Sequence, residues 1–587
     1  MRTPSLQYLY LQKPVTLIVF ICVISILPWI ALGDFSTKGE PREAAVAISM
    51  LENGNWILPQ VYADEFAYKP PLAHWMMALF SYPQGYVSEF TSRLPSALSF
   101  IVLIASTLIF FGRRRRFQEA FISVLLLMTC IEIHRAGMTT RVDMLLTAFI
   151  VLGLFQLYRW EEHLQLKGLP IFIPLFLSGA VLTKGPVGII LPLFVFGVYL
   201  LMLNKYSLFT IVKSLFYIGI ASSFLPIIWY IAAWKQGGDD FLNLVLAENF
   251  GRFFHISDLN INYELGHEEN VFYNFLTLLA GFAPWTLFFF FSIFGLKLSK
   301  PTLSFAEILK KAWNDIRSMD KVRLFSLVAL VCILFFYSIP SSKRSVYLMP
   351  AYPFIALFLA QYALYLTEYR RKVTRLFAIV LVSVVSIVLI VVALTTTGII
   401  EPVEIAKQFT DRISTLESVQ VVSDMFTRMS LLTVLILLLT LFIAGVVFYQ
   451  LSKKINIKIL YSTIALTFAV NLLIDGVIMR GIRNNTSSRP FAEHIMEEYP
   501  LNEDNIFVTN NLREYANLYG LNFYMGNIFR NFEVVQPMEG YFLTAEKSFE
   551  KVEKKYGDKY IFNKLTSTPN VIADVRDRII LYHVVHK

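Results

Sequence analysis

Charged side chains are sparse in this chain, and those outside its short basic runs keep company with one another. Lys69, Arg135, Arg141, Lys184, Arg252, Lys343 and Arg344 fall in, or border, one alternating set of gaps between long apolar runs, and Asp34, Glu40, Glu43, Glu132, Asp143 and Glu248 share those gaps. Ionisable groups at membrane depth are costly and tend to be functional or paired with one another. Cations gathered at one level suit an anionic lipid headgroup, and phosphate is the obvious one, because ammonium and guanidinium groups give charge-assisted hydrogen bonds to its oxygens. Carboxylates beside them supply what a proton transfer needs. His74, His134, His255 and His267 lack the helical spacing of metal ligands, and no metal is implied. Cys22, Cys130 and Cys332 lie inside apolar runs and read as small core residues. The chain has no P-loop, no G-x-S-x-G and no dinucleotide fingerprint.

Helices crossing a bilayer must hold these groups in place. Of 587 residues, 56% are hydrophobic and only 16% charged, against about 25% charged in soluble domains. That excludes a soluble multidomain enzyme, a disordered chain and a disulfide scaffold. The net charge of +9 is concentrated in short gaps, the mark of cytoplasmic loops and not of a nucleic-acid surface. Hydropathy predicts about thirteen transmembrane helices, near 14–32, 94–112, 118–136, 142–158, 169–184, 187–203, 208–232, 271–296, 323–340, 345–366, 376–398, 428–450 and 459–479. With a cytoplasmic N-terminus, the basic runs Arg113–Arg116, Arg159 with Lys167, Lys205, Lys297 through Arg323, Arg370–Lys372 and Lys453–Lys454 all fall inside. The outer loops are then 33–93, 233–270 and 399–427. The expected fold is a polytopic α-helical membrane domain over 1–479, followed by a soluble α/β domain over 480–587 on the outer face. That tail carries β-rich runs at Ile506–Val508, Ile561–Phe562 and Ile579–Val585, with helix-like stretches around Pro490–Glu498, Leu512–Tyr519 and Ala545–Lys555.

The first outer loop is the richest segment. Pro41 fits the first turn of a helix and Asn53-Gly54 its end. After Tyr68-Lys69-Pro70, the stretch from Pro71 to Phe80, containing His74, reads as an amphipathic segment lying along the membrane surface.

With these motifs the chain resembles the lipid-carrier-dependent glycosyltransferases of the GT-C fold, in the branch of the lipid A aminoarabinose transferase, related to protein O-mannosyltransferases. The resemblance rests on Gly39-Glu40-Pro41-Arg42-Glu43-Ala44, Gly54-Asn55-Trp56, Tyr68-Lys69-Pro70, Arg141-Val142-Asp143, Thr183-Lys184-Gly185-Pro186, Glu248-Asn249-Phe250-Gly251-Arg252-Phe253, Pro284-Trp285, and Ser341-Ser342-Lys343 with Tyr347 and Pro350, in order from roughly residue 34 to 353. It departs at two places. The family's leading acid, a proposed catalytic carboxylate, is Gly39 here, and its tyrosine is Glu43. Glu40, Glu43 or Asp34 then supplies the carboxylate, or the role lies with Asp143.

The resemblance implies transfer of a sugar from a polyprenyl phosphate such as undecaprenyl phosphate to lipid A, another glycolipid or a protein at the outer side of a bacterial inner membrane. It implies inversion at the anomeric carbon and no cofactor beyond the lipid-linked donor. Lys69, Arg252, Lys343, Tyr347 and Arg42 match the family's phosphate-binding positions. Asp34, Tyr68, His74, Arg141, Lys184, Glu248 and Asn249 are further candidates for the substrate site. The protein is expected to act as a monomer among membrane lipids. A transporter or flippase, with charges at the bilayer midplane and repeat symmetry, and a ligase or polymerase of surface glycans are the alternative readings.

Overall fold

The computed structural model describes residues 12–35, 37–61, 66–67, 69–247, 269–270, 272–293, 304–340, 342–509, 518–573 and 575–587. The chain opens with α1 (Pro14–Ile30), then α2 (Gly39–Asn53) and α3 (Leu72–Ser81), followed by α4 (Glu89–Gly112), α5 (Phe117–Thr129), α6 (Ile131–Gly137) and α7 (Val142–Leu164). Next come α8 (Phe172–Lys184), α9 (Val187–Leu203), α10 (Leu208–Leu246), α11 (Tyr273–Gly281), α12 (Thr286–Ile293), α13 (Phe305–Arg317) and α14 (Lys321–Ser338). A 3₁₀ segment, Ser345–Ala351, leads into α15 (Tyr352–Tyr369), and α16 (Arg371–Thr396) follows.

Among the described residues, eight helices are long and apolar enough to cross a membrane, or ten if the bent pairs α5–α6 and α11–α12 each count as one span. The shorter apolar helices α1, α8 and α9 occupy the remaining expected positions. At 1.5 Å per residue, the 13 residues of α8 reach about 20 Å, short of a hydrocarbon core of about 30 Å. The thirteen expected positions are thus all helical, eight as long helices, two as bent pairs and three as shorter apolar helices, with the break at Gly185-Pro186 between 169–184 and 187–203 where it was expected. Helix α16 is apolar nearly all round yet barely covered by protein, with Val384, Ile387 and Ile390 more than half exposed; such a surface needs lipid.

The basic gaps converge on one face. Arg115 bridges to Asp320 at 2.8 Å, and the buried Glu161 receives Lys205 at 3.1 Å and Lys321 at 3.8 Å. The described residues of 33–93 gather at the other face, against the tail.

Two short helices, α17 (Pro402–Lys407) and α18 (Ile413–Thr427), precede α19 (Leu431–Lys453) and α20 (Asn456–Leu473). The path continues through a π-helical turn at Ile474–Ile478 into α21 (Met479–Asn485) and α22 (Arg489–Glu498). Beyond it lie β1 (Ile506–Val508), α23 (Tyr519–Tyr524), β2 (Arg530–Asn531), α24 (Phe532–Val535), β3 (Glu539–Ala545), α25 (Glu546–Tyr556), β4 (Tyr560–Ser567) and β5 (Ile579–His586). The strands form one mixed sheet in the order β2-β1-β3-β5-β4, parallel on the β1 side and antiparallel from β3 to β4. The expected strands and the helices near 490 and 550 are present; the expected stretch from 512 to 517 lies outside the described residues. Strand β3, at the centre of the sheet, was not anticipated.

The tail is welded to the first loop. Phe35, Ala44, Val46 and Ala73 share one hydrophobic core with Phe491, Leu518, Leu521 and Phe523. The Phe35 N–H donates to Tyr524 Oη at 2.9 Å, and Asn522 donates to the Val61 carbonyl at 3.3 Å.

Candidate active site

Helix α2 starts with Pro41 in its first turn and stops at Gly54, whose φ of 66° is the left-handed cap that ends a helix cleanly. Its two glutamates, Glu40 and Glu43, are both buried. Glu40 accepts from Arg93 Nε at 3.0 Å and from the Thr140 N–H at 3.2 Å. The same guanidinium donates to the carbonyls of Ile30, Gly33 and Asp34 at 2.9–3.1 Å. Arg93 thus clamps α2 to α4 and to the end of α1, with its own side chain fully enclosed.

Glu43 faces different company. Its Oε1 accepts from Arg42 Nη2 at 2.8 Å and from Lys69 Nζ, and its Oε2 lies 3.0 Å from His74 Nε2 on α3. Burial raises the Glu43 carboxyl, but Lys69, Arg42 and His74 outweigh it and hold the group well below the usual carboxylate range. Burial also acts on Lys69, where it prevails over the attraction of Glu43 and brings the ammonium down to about 8. Arg42 lies over the ring of Tyr519 at 5.9 Å, so the tail touches this cluster directly.

The second carboxylate of the cluster is Asp143, in the first turn of α7, which accepts from Lys184 at the end of α8. Lys184 lies 4.1 Å from the centre of the Tyr347 ring, and Asp143 is near enough to attract Lys69. Arg141 caps the same helix and lays its guanidinium against Gly39, where a Cβ would meet it at 3.4 Å. Lys343 is buried and donates to the Glu269 carbonyl at 2.9 Å.

The structure therefore joins Arg42, Glu43, Lys69, His74, Arg141, Asp143, Lys184 and Tyr347 in one constellation. Glu40 stands beside it, inside the Arg93 clamp. Asp34 is spent elsewhere, 3.5 Å from Arg489 at the start of α22. Tyr68, Glu248, Asn249 and Arg252 lie outside the described residues. Sequence reasoning missed Arg93, which hides in an apolar helix, and Tyr519, which comes from the tail. Arg93 is a lone cation at the start of a predicted span, and that was the available signal. Among the described residues, no three His, Cys, Asp or Glu side chains gather to hold a metal. Four cations thus surround two carboxylates.

Residues 68–234 match the family model described as dolichyl-phosphate-mannose-protein mannosyltransferase. A protein of Aquifex aeolicus is 29% identical over 59% of this chain and 63% of its own length. The undecaprenyl phosphate-alpha-4-amino-4-deoxy-L-arabinose arabinosyl transferases of Erwinia tasmaniensis and Shewanella sediminis are 23% and 24% identical, over 55% and 63% of this chain. The matched region spans 55% and 64% of the length of those two relatives. The crystal structure of ArnT from Cupriavidus metallidurans bound to undecaprenyl phosphate superposes with a TM-score of 0.68 at 15% identity, covering 98% of both chains. The chain has that fold, the GT-C fold of lipid-carrier-dependent glycosyltransferases.

Proposed function

We propose that this protein transfers a sugar from a polyprenyl phosphate to an acceptor on the periplasmic side of a bacterial inner membrane, with inversion at the anomeric carbon. The observation that carries the reading is the gathering of cations: Arg42, Lys69, Arg141 and Lys184 stand beside Glu43 and Asp143 in one cluster. The undecaprenyl phosphate held by a protein of the same fold gives the anion its chemical class. The N-terminus lies in the cytoplasm, so that the face with Arg114, Arg115 and Lys205 is inside. Residues 480–587 then form a periplasmic domain that braces the first loop.

The reaction breaks the bond between the anomeric carbon and the phosphate oxygen, whose electron pair stays with the leaving phosphate. Charge grows on that phosphate in the transition state, so preorganised cations lower the barrier and do more than tighten binding. Lys69 and Arg42 meet the phosphate, with Lys343 and Tyr347 from the other side of the site; Arg252 matches the same role in sequence. Glu43 keeps Lys69 and Arg42 in place. Three partners in direct contact make it a poor base; Asp143 has one ion pair at contact distance among the described residues, Lys184, with Lys69 and Arg141 acting on it from farther off. A hydroxyl acceptor attacks the anomeric carbon and passes its proton to Asp143; a phosphate acceptor arrives as an anion and needs no base. Glu40 positions α2 through Arg93 and does not touch substrate.

The test is transfer by the purified protein from undecaprenyl phosphate sugars, together with native mass spectrometry of wild type and Lys69→Ala. A polyprenyl phosphate adduct in the wild type that is lost in the variant is the expected result. Equal retention in both, or no such lipid in either, removes the phosphate from this site.

A further inference from the structure

A second feature lies farther along α2, outside the ionic cluster. Between the end of α2, the turn after it and the kink of α10 at Gly238 is a cavity of about 300 Å³, at the lower end of the volumes of small-molecule sites, about 300–1,000 Å³. No charged side chain lines it among the described residues. Its rim is made of amides, Asn53, Asn55, Gln60 and Gln236, and Leu58 and Phe66 form an apolar wall. The arrangement is built. Asn55 Oδ1 accepts from the N–H groups of Ile57 and Leu58 at 3.2 and 3.1 Å, which leaves its NH₂ to face outward. Ser49 Oγ accepts from the Gln60 N–H at 3.0 Å and fixes where that side chain departs. At Gly237 a Cβ would stand 2.6 Å from Leu58 Cδ2, so only glycine lets α10 close on the wall and bring Gln236 over the cavity.

A phosphate or carboxylate would find no counter-charge among the described residues. Asn53, Gln60 and Gln236 each pair two donors with an acceptor, and Asn55 adds its two donors, the mixed set that adjacent hydroxyls require; an apolar wall beside such groups suits the C–H face of a pyranose. Ser49 is about 9 Å along α2 from Glu43 at 1.5 Å per residue, so a ring seated here is displaced along the helix from the ionic cluster. We infer that this cavity seats an uncharged saccharide ring of the acceptor. The assignment to the acceptor rests on the transferase reading above; the binding of a saccharide does not.

The experiment uses the full-length protein in detergent, with glucose, N-acetylglucosamine and a β-linked disaccharide of each as probes in saturation-transfer difference NMR. Ring protons should be saturated by the wild type and not by Gln60→Ala/Gln236→Ala. In transfer assays the double variant should raise the acceptor KM about tenfold, the loss expected from two net hydrogen bonds, while kcat and the donor KM stay put. Gln236→Leu alone, on an exposed position, gives the same comparison without touching the turn. Identical saccharide signals in wild type and variants overturn the inference, as does a rise in the donor KM with the acceptor KM unchanged, which would give the ring to the donor. Saccharide binding by a protein that transfers nothing from any polyprenyl phosphate counts against the transferase reading and leaves the cavity assignment standing.

Discussion

Glu40 and Glu43 stand nearly one turn apart on α2, both shut away from water, and their surroundings give them opposite work. Glu40 meets a guanidinium that also donates to three backbone carbonyls. That pair is fully enclosed and tied to the backbone, with little freedom to move. Glu43 meets Arg42, Lys69 and His74, and of these Arg42 and Lys69 keep part of their side chains exposed, where an anion can reach them. The difference teaches that burial of an acid says little about function; the exposure of its partners says more.

The comparison breaks most dramatically on the Arg93 side. Arg93→Ala leaves Glu40 charged and unpaired and orphans three carbonyls, so a loss of about 3–5 kcal/mol or more is expected. Thermal unfolding in detergent should show a large drop in Tm or no folded protein, while Lys69→Ala unfolds close to wild type. A folded, stable Arg93→Ala would mean that the clamp is not structural. On the Glu43 side the effect belongs to turnover. Lys69→Ala should cut transfer about 10²–10³-fold, as when one donor to a developing charge is removed. Full turnover in that variant would dissolve the distinction drawn here.

How much of this was legible beforehand depends on what each residue's neighbours reveal. The spans, the cation-rich face and helix α2, with Pro41 and the Asn53-Gly54 stop, follow from local chemistry. Lys69 and Lys184 were found because cations on that side need a reason to be there, Asp143 because it is an acid in the same gaps, and Tyr347 through the family resemblance. The division of labour between Glu40 and Glu43 was not legible, since it turns on Arg93, more than fifty positions away. Strand β3 was hidden for a similar reason. Its Tyr541-Phe542-Leu543 run is short, and it becomes the centre of the sheet only through β1 and β5 on either side. The dependence of the first loop on the tail, through Tyr519, Asn522 and Tyr524, is equally non-local.

The pH response sharpens the same contrast. Transfer needs the Lys69 ammonium, so the rate should fall as pH rises through about 8. Stability should respond in the opposite direction. The folded state holds this proton less tightly than the unfolded chain, whose lysine titrates near 10.5. Between about 8 and 10.5 the unfolded state binds more protons, and the contribution of Lys69 to stability rises with pH. Burial sets the position of this window, with Arg42 pushing the same way and Glu43 and Asp143 opposing it. Rate and Tm measured across it on wild type and Lys69→Arg should diverge in the wild type only. A rate that is flat to pH 9 would place the working cation elsewhere.

The smallest effect is expected at Gly39, one turn before Glu43. A Cβ there meets the Arg141 guanidinium at 3.4 Å, an ordinary contact, so Gly39→Ala should leave transfer near wild type. Gly39→Asp places a carboxylate against that guanidinium and removes one positive charge from the cluster. The loss should be about tenfold, the scale of one charge-assisted hydrogen bond of about 1.5 kcal/mol, with Tm unchanged. Gly39→Asn, equal in size and uncharged, separates the two causes. If Asn and Asp are equally slow, space and not charge limits the site at Arg141; if Asp is as fast as Ala, the gathered cations do not drive transfer, and the catalytic weight moves to the Asp143–Lys184 pair.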